Sequence, residues 1–331
     1  MERSKLLGRL AELGRPRILV IGDVILDKYL FGNVERLSPE APVPVLDVVR
    51  ESYILGGAAN VASNLLALEA EVHLCGLAGE DADQERLVGL LAERGLDGAG
   101  IFRDPARPTT VKTRVIGQSQ QIVRLDRESR QDSSEQMHER LCAYVDAIAE
   151  SVDGLIVSDY GKGVITPRLL EHLRGLRRRR GVPVVVDPKD IHFQHYRSFS
   201  LITPNTAEAS LGAGFKIKDE RTLLEAGRKL RDELDLEAIL ITRGAQGMSL
   251  FQRDGSMLHI PTMARDVFDV TGAGDTVSSV MGLAVASGLG LEDSAYLANF
   301  AASVVVRLFG TATVNRAEIR RAIEEHDGAD L

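Results

Sequence analysis

The stretch Asp269-Val270-Thr271-Gly272-Ala273-Gly274-Asp275-Thr276 has the spacing most suited to chemistry: two glycines about an alanine, then a carboxylate. Glycine lets the backbone approach a ligand closely. The apolar, small-residue run 277–286 reads as a buried helix, so Gly272, Ala273 and Gly274 fall in its first turn. Free N–H groups and the positive end of the helix dipole make such a turn an anion site. A carboxylate at Asp275 is electrostatically awkward there. That is the arrangement of a base held beside a phosphate group under attack. A glycine-rich turn capped by Asp275 is the plain alternative, and the stretch alone does not choose between them.

Other polar groups gather where apolar runs stop. Residues 17–22 (RILVIG) read as a buried strand, and Asp23 and Asp27 follow it. In an open α/β sheet, ligands bind beyond the carboxyl ends of strands. Two carboxylates there can accept hydrogen bonds from sugar hydroxyls, although one of the pair is expected merely to cap the turn. Gly56-Gly57-Ala58-Ala59-Asn60 opens a helix with small residues and one amide, for close approach to a ligand or for helix–sheet packing. Further along, Ser158-Asp159-Tyr160-Gly161-Lys162-Gly163, Asp187-Pro188-Lys189, Asn205-Thr206-Ala207-Glu208 and Thr242-Arg243-Gly244 each end a strand pattern. Asp187 and Glu208 are oxygen ligands of the kind Mg²⁺ takes, often through water. Lys162 is a compact charge suited to phosphate, against the alternative of an exposed lysine in a glycine turn. Arg243 reads as readily as a surface arginine as a phosphate ligand.

The elements that must position these groups alternate strand and helix from residue 134 onward. Uniformly apolar strands with intervening helices mean a parallel sheet covered on both faces, which brings all the strand ends to one edge. Two segments break the alternation. Residues 29–52 carry Pro39, Pro42 and Pro44 and an alternating run at 43–49. Residues 109–126 read as a hairpin about Gly117-Gln118-Ser119-Gln120. Together they suggest a small β-lid whose edge could pair with another subunit. The 331 residues are read as one domain, 1–331.

Bulk composition excludes several classes. A net charge of -8 and the absence of tryptophan leave no basic or stacking surface for nucleic acid. No signal peptide or apolar span of membrane length is present, and Cys75 and Cys142 read as buried thiols, as in a reducing cytoplasm. His192 and His195 lack further ligands for zinc. Neither a P-loop nor a dinucleotide fingerprint occurs.

Taken in order, Gly56 to Asn60, Asn205-x-x-Glu208 and Asp269-x-x-Gly-Ala-Gly-Asp275 resemble the ribokinase-like (PfkB) carbohydrate kinases over nearly the whole chain. The segments GDVILDKY (22–29), SPEAPVPV (38–45), SDYGKG (158–163), TPNTAE (203–208) and DVTGAGDT (269–276) are most similar to the D-glycero-β-D-manno-heptose 7-phosphate kinases. The resemblance implies a three-layer α/β/α sandwich with a mostly parallel sheet and a β-lid over the sugar. It implies ATP as co-substrate, Mg²⁺, a monovalent cation such as K⁺, and a homodimer formed through the lid. Asp275 would be the base, with the N–H groups of Gly272, Ala273 and Gly274 holding the developing charge. Asp27, Gly57 and Asn60 would bind sugar hydroxyls, and Lys162 and then Arg124 the 7-phosphate. Thr242, Arg243, Gly244, Gly247, Asn299 and Ser303 would line the nucleotide site. Asn205, Glu208 and Asp187 would orient Mg²⁺, and Asp269 and Thr271 would hold the monovalent cation. The chain stops at Leu331 without an H-x-G-H, as expected of a kinase lacking a fused nucleotidyltransferase. The rivals are a PfkB kinase for ribose, a fructose phosphate or a nucleoside, and a non-catalytic sugar or nucleotide sensor.

Overall fold

The structure is a computed structural model that describes residues 1–118, 120–264 and 266–326. Ser119, in the predicted hairpin turn, and Leu331 lie outside the described residues. In chain order the helices are α1 (Arg3–Ala11), α2 (Ala58–Ala67), α3 (Ala82–Glu93), α4 (Glu135–Ile148), α5 (Pro167–Arg180), α6 (Thr206–Ala213), α7 (Glu220–Glu233), α8 (Ala273–Ala286), α9 (Leu291–Val305) and α10 (Arg316–Glu324).

The main sheet contains β1 (Arg17–Gly22), β4 (Glu71–Ala78), β5 (Ile101–Arg103), β8 (Gly154–Ser158), β9 (Val184–Asp187), β10 (Leu201–Ile202), β11 (Ala238–Thr242), β12 (Met248–Gln252) and β13 (Met257–Ile260). Their order is β13-β12-β11-β10-β9-β8-β1-β4-β5. Every pairing from β11 to β5 is parallel, and only the β11–β12 and β12–β13 pairings are antiparallel. Burial on both faces explains the uninterrupted apolar strands. Along β1, Ile18 and Val20 pack into one core with α1, α2, α8, α9 and α10, while Leu19 and Ile21 pack into the other with α4, α5 and α7.

A second sheet, ordered β3-β2-β6-β7, is the lid: β2 (Val24–Leu37), β3 (Pro44–Gly57), β6 (Val111–Gly117) and β7 (Gln120–Arg127). Strands β2 and β3 reach closer to the body than the predicted insertion at 29–52, whereas β6 and β7 fall close to the predicted 109–126. Only Asp23 separates β1 from β2, and β3 runs directly into α2. The prolines and polar residues that mark the insertions in the sequence sit at the lid's outer end, so they conceal its apolar roots. Asn205–Glu208 follow strand β10 as expected, and they also open α6. Asn205 Oδ1 accepts from Ala207 and Glu208 N–H, and Glu208 Oε2 accepts from Asn205 N–H at 3.0 Å, closing a capping box. No helix of the described residues is long and apolar enough to cross a membrane.

Candidate active site

Helix α8 begins as the glycines predict. Gly272 is its N-cap with φ 79°, and no side chain caps the turn. A Cβ at Gly272 would lie 2.9 Å from Asn60 Nδ2, so this position needs glycine both for its backbone and for space. Ala273 N–H is turned back onto Val270 O at 3.2 Å. That withdraws one of the three donors expected to face an anion.

Asp275 lies in the first turn of α8 and is 2% exposed. Its Oδ2 accepts from Asn60 Nδ2 at 2.7 Å, and its Oδ1 accepts from the Tyr160 hydroxyl at 2.6 Å. Burial pushes the carboxyl up to about 6. The two hydrogen bonds favour the charged form, and Asp27 disfavours it. The result is a carboxylate that is ionised at neutral pH yet basic enough to accept a proton.

Two cavities meet at this motif. One, of about 590 Å³, lies under the lid and is lined by Tyr29, Phe31, Arg50, Arg114, Asp269 and Thr271, among others. The other, of about 580 Å³, is lined by Thr242, Gly244, Gly247, Val270, Ala273, Gly274, Asn299 and Ser303, together with apolar Met248, Val277 and Val306. Residues 269–274 are therefore a wall: Asp269 and Thr271 face the lid cavity, Val270, Ala273 and Gly274 face the other, and the buried Asp275 follows them in the chain.

A family model described as pfkB family carbohydrate kinase matches residues 15–318. The chain belongs to this pfkB family. It is 48% identical over 319 residues to a protein from Geobacter sulfurreducens named bifunctional protein HldE, covering 96% of this chain and 65% of the relative. A protein of the same name from Wolinella succinogenes is 44% identical over 315 residues, covering 95% and 66%. The chain thus spans about two thirds of the length of these curated relatives. Among solved structures, Arabidopsis thaliana ribokinase complexed with ribose and ATP superposes with a TM-score of 0.75 at 19% identity, covering 94% of this chain and 99% of that one. Phosphofructokinase-2 from Escherichia coli in complex with substrates and products gives 0.77 at 17% identity, covering 95% and 100%. Both share the fold.

Within this pfkB kinase, the predicted nucleotide residues Thr242, Gly244, Gly247, Asn299 and Ser303 all line the second cavity. Arg243 does not. Its guanidinium is spent on Glu220, Gln246 and His259, because the side chain turns along β12 and β13. The Arg243 side chain is nearly buried in an ion pair with Glu220.

On the lid side, Asp23 and Asp27 divide as expected of a pair with one cap. Asp23 accepts backbone N–H bonds from Tyr160, Lys162 and Val164, so it holds the loop after β8. Asp27 is buried against Arg114. Burial raises the Asp27 carboxyl, while Arg114 opposes that rise. Gly57, the N-cap of α2 with φ 56°, has no room for a side chain: a Cβ would meet Asp23 O at 2.4 Å. Its glycine is explained by packing. Asn60 faces the base.

Lys162 is a correction. Its Nζ lies 2.7 Å from Glu128 Oε1, and both side chains are nearly buried away from the lid cavity. Its charge is already matched. Arg124 is cross-strand from Arg114 on the edge strand β7, and it is paired with Asp126.

The metal residues also rearrange. Asn205 uses its carbonyl oxygen on the α6 cap, which removes it as a direct ligand. Asp187 is pushed well above the usual carboxylate range by burial and by the charges of Asp275, Glu208 and Asp159. That concentration of negative charge suits a cation. Among the described residues no three His, Cys, Asp or Glu side chains are grouped to hold a bare ion. Asp269 spends one oxygen on Thr271 N–H and Oγ1 and the other on Gly310 N–H. A monovalent cation here would need backbone carbonyls in place of the two side chains.

Tyr160 is the functional residue that the sequence reading missed. It stands in the run 158–163, where Lys162 drew attention. The available signal was an aromatic hydroxyl at the carboxyl end of a parallel strand.

Proposed function

We propose that the chain transfers the γ-phosphoryl group of ATP to the 1-hydroxyl of D-glycero-β-D-manno-heptose 7-phosphate, giving the 1,7-bisphosphate. One observation carries the reading: a glycine wall separates two ligand-sized cavities, with a buried base at its end. Extensive identity to the HldE proteins and the segments 22–29, 38–45 and 158–163 favour the heptose over ribose or fructose phosphate.

ATP occupies the cavity of Gly244, Asn299 and Ser303, whose apolar walls suit a flat base. The acceptor lies under the lid. Asp275 takes the proton of the 1-hydroxyl as that oxygen bonds to the γ-phosphorus, and the bond to the bridging oxygen of ADP breaks. The α8 N-terminus faces the charge on the transferred group. Asp187 and Glu208 would hold Mg²⁺ through water, and the ion would neutralise charge on the phosphates.

The 7-phosphate has a better partner than Lys162. Arg50 lines the lid cavity, its guanidinium 3.8 Å from the centre of the Phe31 ring. It has no carboxylate partner among the described residues. Strand register sets Arg50, Phe31, Ile116 and Gln121 in one row across the lid. A guanidinium stacked on a ring and free of acids is preorganised for phosphate.

The reading treats the chain as one cytoplasmic kinase domain that acts on small molecules rather than nucleic acid. It pairs into a homodimer through the lid, where Val48, Val49, Val123 and Leu125 are exposed. Phosphorus NMR after incubation with ATP, Mg²⁺ and the heptose 7-phosphate tests the reaction. A new anomeric phosphate signal is expected. ADP formation without it, or turnover only with unphosphorylated sugars, overturns the assignment.

A further inference from the structure

Asp275 has two hydrogen-bond donors from opposite sides. Asn60 reaches it from α2, and Tyr160 from the loop after β8. Tyr160 is itself held from below: its backbone N–H donates to Asp23 Oδ2 at 2.8 Å, and the same carboxylate binds Lys162 N–H at 3.0 Å and Val164 N–H at 3.2 Å. A buried acid thus anchors the loop that carries the phenol. Loss of either donor would free the Asp275 carboxylate to rotate, with only one oxygen held.

We propose that Tyr160 is a positioning residue for the base, fixing Asp275 through Oδ1 and holding it in the ionised form that accepts the acceptor's proton. The phenol stays a donor. Burial, together with the neighbouring charges of Asp275 and Asp187, holds its own ionisation well above the ordinary tyrosine value. The charged groups near Asp275 are Asp27 from β2 and Asp187 from β9; burial and Asp27 disfavour its charge, while Asp275 in turn pushes the Asp187 carboxyl up. Asn60 is neutral. Tyr160 and Asn60 are thus the groups that oppose this repulsion, and removing Tyr160 must raise the pH at which Asp275 ionises.

This inference rests on Asp275 being the base, and two readouts separate the two ideas. The first is the pH dependence of kcat with ATP, Mg²⁺ and the heptose 7-phosphate. The second needs no acceptor: the titration of the Asp275 carboxyl carbon by NMR, assigned by its loss in Asp275→Asn. In Tyr160→Phe the acid limb of kcat and the carboxyl midpoint should both move up, by roughly one to two pH units for a lost hydrogen bond to a charge. Turnover should recover at high pH. A merely structural role would lower kcat equally at every pH and leave the midpoint in place, which overturns the proposal. Should Tyr160→Phe fail to fold, site-specific 3-fluorotyrosine at 160 decides the matter. A stronger donor must move the midpoint down, and an unmoved midpoint overturns the proposal. A moved midpoint without an acid limb in the wild-type enzyme would instead retire Asp275 as the base.

Discussion

The two cavities that share the 269–274 wall are built differently. The cavity proposed for the nucleotide is made of a strand end, loops and two helices, each a local element of the chain. Thr242 comes from β11, Gly274 from α8, and Asn299 and Ser303 lie one turn apart on α9. The lid side is made of cross-strand neighbours. Arg50 belongs to β3, Phe31 to β2, Ile116 to β6 and Gln121 to β7, and they meet only because the register brings them into one row. A site built from local signals can be read residue by residue. A site built from pairing depends on contacts between distant segments.

The largest expected effect lies at the wall itself. Asp275→Asn should lower kcat by roughly a hundredfold to ten-thousandfold, the range for a general base, with binding of both substrates retained. Steady-state kinetics with equilibrium nucleotide binding would check it, and near-normal turnover would remove the base from the wall.

Next is Lys162→Ala. It leaves Glu128 without its nearest cation in a mostly buried setting, so a stability loss of about 2 kcal/mol is expected in urea unfolding. The KM for each substrate should change little. A selective rise in acceptor KM would break the comparison, since a locally legible lysine would then serve the lid side.

A loss of similar size should appear as a pH dependence. The Asp275 carboxyl is raised to about 6 in the folded protein, above the ordinary aspartate value of about 3.9 in the unfolded chain. The folded state therefore holds this proton more tightly. Its stabilising contribution is full below pH 4 and is lost as the pH rises through 6. The stability of Asp275→Asn relative to wild type should increase across that window, by on the order of 2 kcal/mol. A flat difference between pH 4 and 8 would show that the buried charge carries no such cost.

The smallest effect sharpens the lid side. Arg50→Ala should raise the KM for a phosphorylated acceptor roughly tenfold, the scale of one charge-assisted contact, and leave the KM for ATP unchanged. Equal effects on an acceptor lacking the phosphate would remove Arg50 from phosphate recognition.

The same division explains what was legible in the sequence. Strand β1 matches its expected span, 17–22, and the strand–helix alternation after residue 134 is present, because apolar runs and helical periodicity are local. The glycine turn before α8 followed from the same kind of signal, whereas the nucleotide role of the residues of the second cavity came only from the family resemblance. Asn205 and Glu208 were recognisable as a pair, but their spacing of three is also that of a capping box, and the α6 cap takes the Asn205 carbonyl. Lys162 and Arg243 each lie in a promising run, yet each is claimed by an acid far away in sequence, Glu128 and Glu220. No local pattern announces such a partner. Tyr160 was hidden for the converse reason: its value comes from Asp275, more than a hundred residues later.

The junction of β3 and α2 has a mechanical consequence. Gly57 ends the lid strand and Ala58 begins the helix, with no linker between them. Two residues further on, Asn60 grips the base. The lid strand and the amide that holds the Asp275 carboxylate therefore belong to one uninterrupted stretch of backbone, and a substitution at Gly57 would be felt on both sides of that junction.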